Sequence, residues 1–431
     1  MKYRIIRRFI LLSGDISLIF FSLYIALILR WSKLISPRIF IYFFKQFSWL
    51  FLFWIFLFFI FDFYSLNIRF RSFDFYRYFS VFLFLAMFSG ILYFYLFPSI
   101  AIAPKTILFL NIGIFSILFI LWHSFFDWIF KRSVNKEKII FWGSFSEKKD
   151  LINYIKNSKL LYKIEGDFNE STNIDEIHNI IKNKKIKKII ISPEVKNSQK
   201  LFFSFPEIEI ESFFDFYEET TKKIALSGIK DPNIFNSFIR EEKAYTTLKR
   251  MLDFFIASIG SLFFISFFPI VAILIKINSK GPIFFIQERV GKDGRIFQSY
   301  KFRSMHVKNN SKKIWREKDK REITFVGRFL RFTHIDELPQ FLNMLRGDIS
   351  IIGPRPEWKK LAKQYEKVIP FYSLRHKVKP GLTGWAQINY PPSTSVKEAR
   401  EKFQYDLYYI KNRSITFDVV IFLKSLRKFF G

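Results

Sequence analysis

Asp336 and Glu337 stand side by side just before Pro339, in the stretch FTHIDELPQFLNMLRGDISIIGPRPE from Phe332 to Glu357. Arg328 and Arg331 precede the pair, and Arg346 and Arg355 follow it. A proline is tolerated in the first turn of a helix, so the carboxylates belong at a helix start. A carboxylate there, ringed by arginines, suits a nucleophile or a metal ligand facing a phosphate. The bland alternative is a solvated helix start, because acidic residues favour first turns anyway. The neighbouring segments decide between the two.

Upstream, Ser279-Lys280-Gly281-Pro282 reads as a turn. Ile283–Arg289 and Arg295–Phe302 then read as a hairpin joined at Gly291-Lys292-Asp293-Gly294, since Asp-Gly favours tight turns. These strands carry Gln287, Arg289 and Lys301, with Arg303 just beyond. Such a set can bind anionic lipid headgroups, or clamp a diphosphate through bidentate arginines.

The elements that position these residues are membrane elements. The chain has 431 residues, 60 of them Phe, and Lys+Arg number 68 against Asp+Glu 37. Its net charge of +31 fits nucleic acid, anionic lipid or phosphorylated substrates, and the apolar segments favour the membrane. Cysteine is absent, so thiolate metal sites and thiol nucleophiles are excluded. Four segments, Phe9–Leu29, Ile41–Phe61, Tyr78–Phe97 and Thr106–Phe130, have the length of membrane helices, with Asp15 and Lys45 blemishing two of them near their ends. The start looks superficially like a signal peptide, yet an uncleaved first helix is expected because further spans follow. Lys2, Arg4, Arg7 and Arg8, then Arg69, Arg71 and Arg77, then Lys131, Arg132, Lys136 and Lys138 bias one side of these spans. That bias places both ends of the four-helix region in the cytoplasm.

From Glu137 to Lys243 short strands at Lys138–Trp142, Lys187–Ile191 and Glu207–Phe213 alternate with helices at Asp150–Ser158 and Asp175–Lys184. This pattern is a Rossmann-like α/β domain. Only Gly143 stands where a dinucleotide fold places three glycines, so a structural or regulatory role is expected there. Met251–Ile277 is a fifth apolar segment, flanked by Lys249 and Arg250 and by Lys276 and Lys280, with Pro269 inside. Positive charge at both ends and a helix-breaking residue favour a broken, re-entrant helix, with Ser266 satisfying a freed backbone group. A Pro-kinked span is the alternative. The last stretch, Val419–Phe430, reads as a basic amphipathic helix on an anionic membrane surface.

The segments SKGPIFFIQERVGKDG (Ser279–Gly294), YKFRSM (Tyr300–Met305), Val326–Gly353, Pro354–Glu357 and KPGLTGWAQ (Lys379–Gln387) closely resemble the bacterial sugar transferase family. These are the polyprenyl-phosphate hexose-1-phosphate transferases, or monotopic phosphoglycosyl transferases. The resemblance runs from about Tyr245 to the C-terminus, and the preceding spans and α/β domain match the family's long form. It implies a bacterial inner-membrane protein with four transmembrane helices (1–132), a Rossmann-like domain (137–243) and a cytoplasmic mixed α/β catalytic domain (245–431) with a re-entrant helix (251–277). It further implies transfer of a sugar-1-phosphate from a UDP-sugar to undecaprenyl phosphate, releasing UMP, at the start of O-antigen, capsule or exopolysaccharide synthesis. Asp336 would be the nucleophile that carries a phosphosugar, and Glu337 would join it in holding Mg²⁺. Lys301, Arg303, Arg331 and Arg355 would clamp phosphates, with Gln287, Arg289 and Arg328 as further substrate contacts. The implied partners are the bilayer and a second copy in a homodimer, not nucleic acid.

Trp385 is expected to line the sugar or uridine pocket, or to serve the core or membrane interface. Tyr405–Ile410 and Phe417-Asp418 are expected to pack, with Asp406 able to join the site. His306, His334 and His376 lack metal-ligand spacing and are given no role. Two other classes compete. One is a non-catalytic membrane scaffold or regulator of polysaccharide assembly. The other is a glycosyltransferase that moves the sugar without its phosphate and releases UDP.

Overall fold

The computed structural model describes residues 2–61, 63–64, 73–97, 105–131, 136–158, 162–172, 174–195, 208–229, 243–306, 323–393 and 395–430. Two compact units are present: Met1–Lys136 with Lys159–Leu161 and Leu423–Gly431, and Glu137–Ser158 with Tyr162–Phe422.

The first unit holds α1 (Lys2–Trp31), α2 (Pro37–Ile60), α3 (Phe73–Leu96) and α4 (Lys105–Lys131). With a later helix, Lys243–Asn278, five described helices are long and apolar enough to cross a membrane. The phenylalanine excess fills the bundle interior: Phe58 stacks on Phe115 and Phe119, and Phe79 lies 5.1 Å from Phe119, a favourable ring spacing. Asp15 is fully buried, with both carboxylate oxygens 3.1 Å from His123 Nε2, whereas Lys45 is exposed and can reach the interface. Of the charges expected to orient these helices, Arg69, Arg71 and Arg132 and the side chains of Lys2, Arg4, Arg7, Arg8 and Lys131 lie outside the described residues. Leu423 and Leu426 of the last helix, Ile415–Phe430, pack on this aromatic core, and Arg427 sits 4.4 Å over the Tyr78 ring. That part of the expected surface helix therefore rests on protein.

The second unit opens with β1 (Glu137–Trp142), α5 (Lys148–Asn157), β2 (Tyr162–Phe168), α6 (Ile174–Lys184), β3 (Lys188–Ile191), β4 (Glu209–Ser212) and α7 (Phe213–Thr221). Its strands pair in parallel in the order β2-β1-β3-β4. Three strands fall where alternation places them, although Glu207 lies outside the described residues, and β2 is an additional edge strand. After β1, Phe145 stacks on Phe213, and Lys148 Nζ donates to Gly143 O at 2.9 Å.

Segments on the two sides of residue 243 pack together in this unit. Beyond α7, Lys222 O accepts from Trp385 Nε1 at 3.1 Å, and Ile224 N donates to Gln404 O at 3.1 Å. Ile224 and Leu226 are buried in one core with Trp385, Phe403, Tyr405 and Leu407. Periodicity could not reveal this docking, because it is a tertiary contact between distant segments. Deleting residues 1–136 should leave the second unit folded in detergent. Deleting 1–243 should cost it about 3–6 kcal/mol, from unburying two aliphatic side chains at about 1.5–3 kcal/mol each. Denaturation midpoints of the two truncated proteins compare directly, and equal midpoints would remove the 222–226 segment from the core.

The remainder comprises α8 (Lys243–Asn278), β5 (Phe284–Val290), β6 (Ile296–Phe302), α9 (Phe325–Phe332), α10 (Gln340–Arg346), β7 (Ser350–Ile352), α11 (Lys359–Val368), β8 (Gly381–Thr383), α12 (Trp385–Asn389), α13 (Val396–Asn412) and α14 (Ile415–Phe430). α8 runs uninterrupted past Pro269 rather than as two pieces. Ser266 does not serve the carbonyl that Pro269 leaves free. Its hydroxyl donates to Leu262 O at 3.0 Å, the back-bond to i−4 that helical serines favour. Arg250 donates to Met344 O and Leu345 O, Phe264 and Phe268 pack on Phe302, and Asn278 Oδ1 accepts from Val326 N. Both ends of α8 are thus held by the same globular core. The opposite face, including Phe255, Leu262, Ile265, Ile273 and Ile277, is exposed.

Candidate active site

The β5–β6 hairpin is antiparallel, with Phe285 opposite Lys301, Gln287 opposite Ser299 and Arg289 opposite Phe297. Side chains alternate faces along a strand, so Gln287, Arg289 and Lys301 share one face, while Phe284 and Phe302 turn to α8. Asp293 and Gly294 adopt positive φ in the connecting turn, the role expected of Asp-Gly. Val290 N donates to Glu357 O, which lays the Pro354–Glu357 segment beside the hairpin. β7 pairs in parallel with β8, and a Cβ on Gly353 would collide with the Lys379 carbonyl, so only glycine permits this approach.

Thr324 caps α9, its hydroxyl accepting from Gly327 N at 2.9 Å. After α9 the chain passes through His334 in the left-handed region into a tight turn, Ile335–Glu337, and Pro339 then caps α10. The turn carries the acidic pair. Asp336 is buried, and among the described residues its carboxylate has no hydrogen-bond or ion-pair partner. Glu337 is paired with Lys301 Nζ.

Burial pushes the Asp336 carboxyl up, as does Glu337 alongside, against the pull of Lys301, Arg331 and His334. Burial acts the same way on Glu337, but Lys301 and Arg355 outweigh it and hold that carboxyl below its ordinary value. Lys301 is pushed down by burial and by Arg355, despite Glu337. Arg289 is pushed down to about 10 by burial, then by Arg355. The result is two adjacent carboxylates in different states of engagement, one bound and anionic, one unbonded. Around them Lys301, Arg355, Arg331 and Arg289 supply positive potential.

The expected clamps divide. Lys301, Arg331 and Arg355 bear on the pair, with Arg331 Nε held by Ser304 Oγ at 2.8 Å. Arg289 Nη2 donates to Gln287 Oε1 at 3.0 Å and its Nη1 to Pro356 O, which ties both residues to the Pro354–Glu357 segment. Arg328 is exposed and lies 5.6 Å over the Phe325 ring. Arg303 is turned away: its Nη atoms donate to the Ser279 and Lys280 carbonyls at 2.7 and 3.0 Å, fastening the loop after α8. Trp385 is a core residue, packed on Tyr408 and Phe417.

Arg375 is the residue that the sequence reading missed. It is buried and donates to Arg355 O at 3.0 Å and to Asp406 Oδ2 at 2.8 Å, with Glu357 Oε1 3.6 Å away. Asp406 thus reaches the site through Arg375. The signal was thin, a basic residue four positions before the KPGLTGWAQ motif. His334, given no role, adds to the field on both carboxylates. His376 is buried and pushed down to about 3, so it is neutral at physiological pH.

Residues 244–431 match the family model described as bacterial sugar transferase. The chain is 43% identical over 185 residues to the UDP-N-acetylgalactosamine-undecaprenyl-phosphate N-acetylgalactosaminephosphotransferase of Aeromonas hydrophila, covering 42% of this chain and 44% of that protein. It is 44% identical over 187 residues to the UDP-glucose:undecaprenyl-phosphate glucose-1-phosphate transferase of Escherichia coli K12, covering 42% and 40%. The matched segment therefore spans less than half the length of these two relatives. It is also 39% identical to the exopolysaccharide production protein PSS of Rhizobium leguminosarum bv. phaseoli, and here the match covers 90% of the relative. Asp336 and the basic residues around it lie within the matched residues 244–431, and the chain belongs to the bacterial sugar transferase family.

Proposed function

We propose that this protein transfers a hexose-1-phosphate from a UDP-sugar to undecaprenyl phosphate, with release of UMP, as the first membrane step of polysaccharide synthesis. The observation that carries the reading is the unbonded, buried Asp336 carboxylate beside a lysine-bound Glu337, within a field of arginines. An Asp336 oxygen attacks the phosphorus that bears the sugar. The bond from that phosphorus to the bridging oxygen breaks, and UMP leaves with the electron pair. A phosphate oxygen of the lipid then attacks the same phosphorus and frees Asp336. Lys301, Arg355 and Arg331 lower the repulsion between carboxylate and diphosphate and stabilise the charge of the departing UMP. The names of the two longer relatives, one for N-acetylgalactosamine and one for glucose, support a hexose donor.

The acidic pair also fits Mg²⁺ by its donor chemistry. Glu337 is held anionic, and Mg²⁺ takes one or two carboxylates with waters and substrate phosphates as its other ligands. Among the described residues there is no group of three or more His, Asp or Glu to make a cage, so phosphate oxygens would complete the set. When bound, the ion would neutralise diphosphate charge. Glu337→Gln should raise the Mg²⁺ concentration for half-maximal rate several-fold, and an unchanged Mg²⁺ titration would move the metal role elsewhere.

The acceptor is a lipid, and the geometry supports delivery from a bilayer. α8 exposes a long apolar face, and Phe325, Phe329 and Phe332 stand exposed on α9, the last of them four residues before Asp336. We read α8 as re-entrant, because both of its ends are held by one globular core and both carry positive charge. The four preceding helices are read as spans, and the parallel sheet as a Rossmann-like accessory region. A single cysteine at Arg295, exposed at the hairpin tip, tests this topology, and it avoids the positive φ of Gly294. Labelling is expected only after the inner face is opened, and labelling from outside intact cells would refute the re-entrant reading. The whole reading is tested by UMP release from a panel of UDP-sugars with undecaprenyl phosphate. Release of UDP would favour a glycosyltransferase, and no release from any donor would favour a scaffold.

A further inference from the structure

Three residues after Glu337, Gln340 opens α10. It is 6% exposed, and its Nε2 is sealed from solvent with no hydrogen-bond partner among the described residues. Its polar neighbours along the turn and helix are bonded. Glu337 is paired with Lys301. Asn343 Nδ2 donates to Gln298 O at 2.7 Å and to Asp348 Oδ2 at 3.0 Å, and its Oδ1 accepts from Tyr300 N at 3.2 Å. Asp336, four residues before Gln340, is the exception on the acceptor side, a buried carboxylate that is likewise unbonded. The two groups are complementary, one an acceptor and one a donor, yet no bond joins them.

The backbone places the amide. The turn is tightly wound, with Leu338 N donating to Ile335 O and Phe341 N to Leu338 O. In such a stretch, residues three apart lie over one another. Gln340 therefore stands over Glu337 on one side and under Asn343 on the other. Both of these reach β6, Glu337 at Lys301 and Asn343 at Gln298 and Tyr300. Gln340 is thus held against β6, beside the Lys301–Glu337 pair. A buried amide hydrogen without an acceptor costs more than an apolar chain of the same shape. Native structures keep few such groups, and each calls for a reason. The amide is neutral, so it adds nothing to the field of Lys301, Arg331 and Arg355. What it adds is a directed donor.

We propose that Gln340 is a further catalytic residue, its Nε2 donating to a non-bridging oxygen of the phosphoryl group that Asp336 attacks. This rests on the transferase reading above. A phosphoryl group set between the two side chains satisfies both, the carboxylate through phosphorus and the amide through an oxygen. The amide keeps its protons throughout. The bond that forms runs from an Asp336 oxygen to phosphorus, and UMP leaves with the electron pair of the bond that breaks. Charge in the transition state is spread over the oxygens that do not move between partners, so a donor aimed at one of them serves the rate more than the binding of substrate.

The test uses the full-length protein in neutral detergent, with undecaprenyl phosphate and with UDP-glucose and UDP-N-acetylgalactosamine as donors. Gln340→Met keeps the length of the side chain and removes the donor. Its thermal midpoint should hold or rise, because an unmet buried amide is gone. Its kcat for UMP release, per folded molecule, should fall about 10²-fold, the scale of one lost transition-state donor, with KM for the UDP-sugar within about threefold of wild type. Gln340→Glu keeps the shape but sets a carboxylate against the phosphate, and its kcat should fall at least as far. A lowered midpoint with a wild-type rate per folded molecule would make Gln340 a core residue and overturn the proposal. A rate that returns to wild type at high Mg²⁺ would place the amide on Glu337 and overturn it too. Asp336→Asn is measured alongside. If it is inactive while Gln340→Met is unimpaired, this inference alone fails, and if Asp336→Asn is also active, the transferase reading fails with it.

Discussion

Asp336→Asn should lower UMP release by at least about 10⁴-fold, the scale seen when an enzyme loses its nucleophile, because an amide cannot attack phosphorus or carry the phosphosugar. The same variant should be no less stable than wild type. Burial raises the Asp336 carboxyl above its ordinary value, so keeping it ionised opposes folding. That penalty is fully present above the raised value and disappears as pH falls below the ordinary carboxylate value of about 3.9. Asparagine carries no such penalty, so the thermal midpoint at neutral pH should hold or rise. A pairing of lost activity with kept stability is the signature of a group maintained for chemistry. Near wild-type release of UMP would remove Asp336 from the mechanism.

Arg375→Ala should cost about 3–5 kcal/mol, the range for breaking a buried ion pair from one side. It would leave Asp406, which is 2% exposed, charged and unpaired, and it would release the Arg355 carbonyl. Activity should fall in the protein that remains folded, because Arg355 loses the partner that fixes its backbone beside Glu337. Arg375→Lys should recover part of the stability, since it keeps the charge without the fork that spans both partners. Denaturation midpoints and rates on the folded fraction separate the two effects. A loss below about 1 kcal/mol would show that Asp406 has another partner.

The parts of the site that could be read in the sequence are those that neighbours in the chain define. Asp336 and Glu337 share one turn, Lys301 follows from strand alternation, and the hairpin turn announces itself by Asp-Gly. The partners of Arg303 were not legible, because alternation ends with the strand. One residue past β6 the chain bends, and the guanidinium finds the carbonyls after α8 instead. Arg375 and Asp406 were obscure for a different reason, being 31 positions apart and meeting only through the fold. β2 escaped notice because Lys163, Glu165, Gly166 and Asp167 break its apolar pattern. An edge strand tolerates such charges, and Asp167 there pairs with Lys148. The docking of Ile224 and Leu226 under Trp385 likewise left no periodic trace.

Intact-protein mass spectrometry of the full-length protein, incubated with a UDP-sugar and no lipid acceptor, reads the central step itself. The account predicts one equivalent of UMP per protein and a mass gain of one hexose phosphate. Peptide mapping should place that gain on Asp336, and the Asp336→Asn protein should lack it. An unmodified protein that still forms lipid-linked sugar phosphate once undecaprenyl phosphate is added, or release of UDP in place of UMP, would contradict the account.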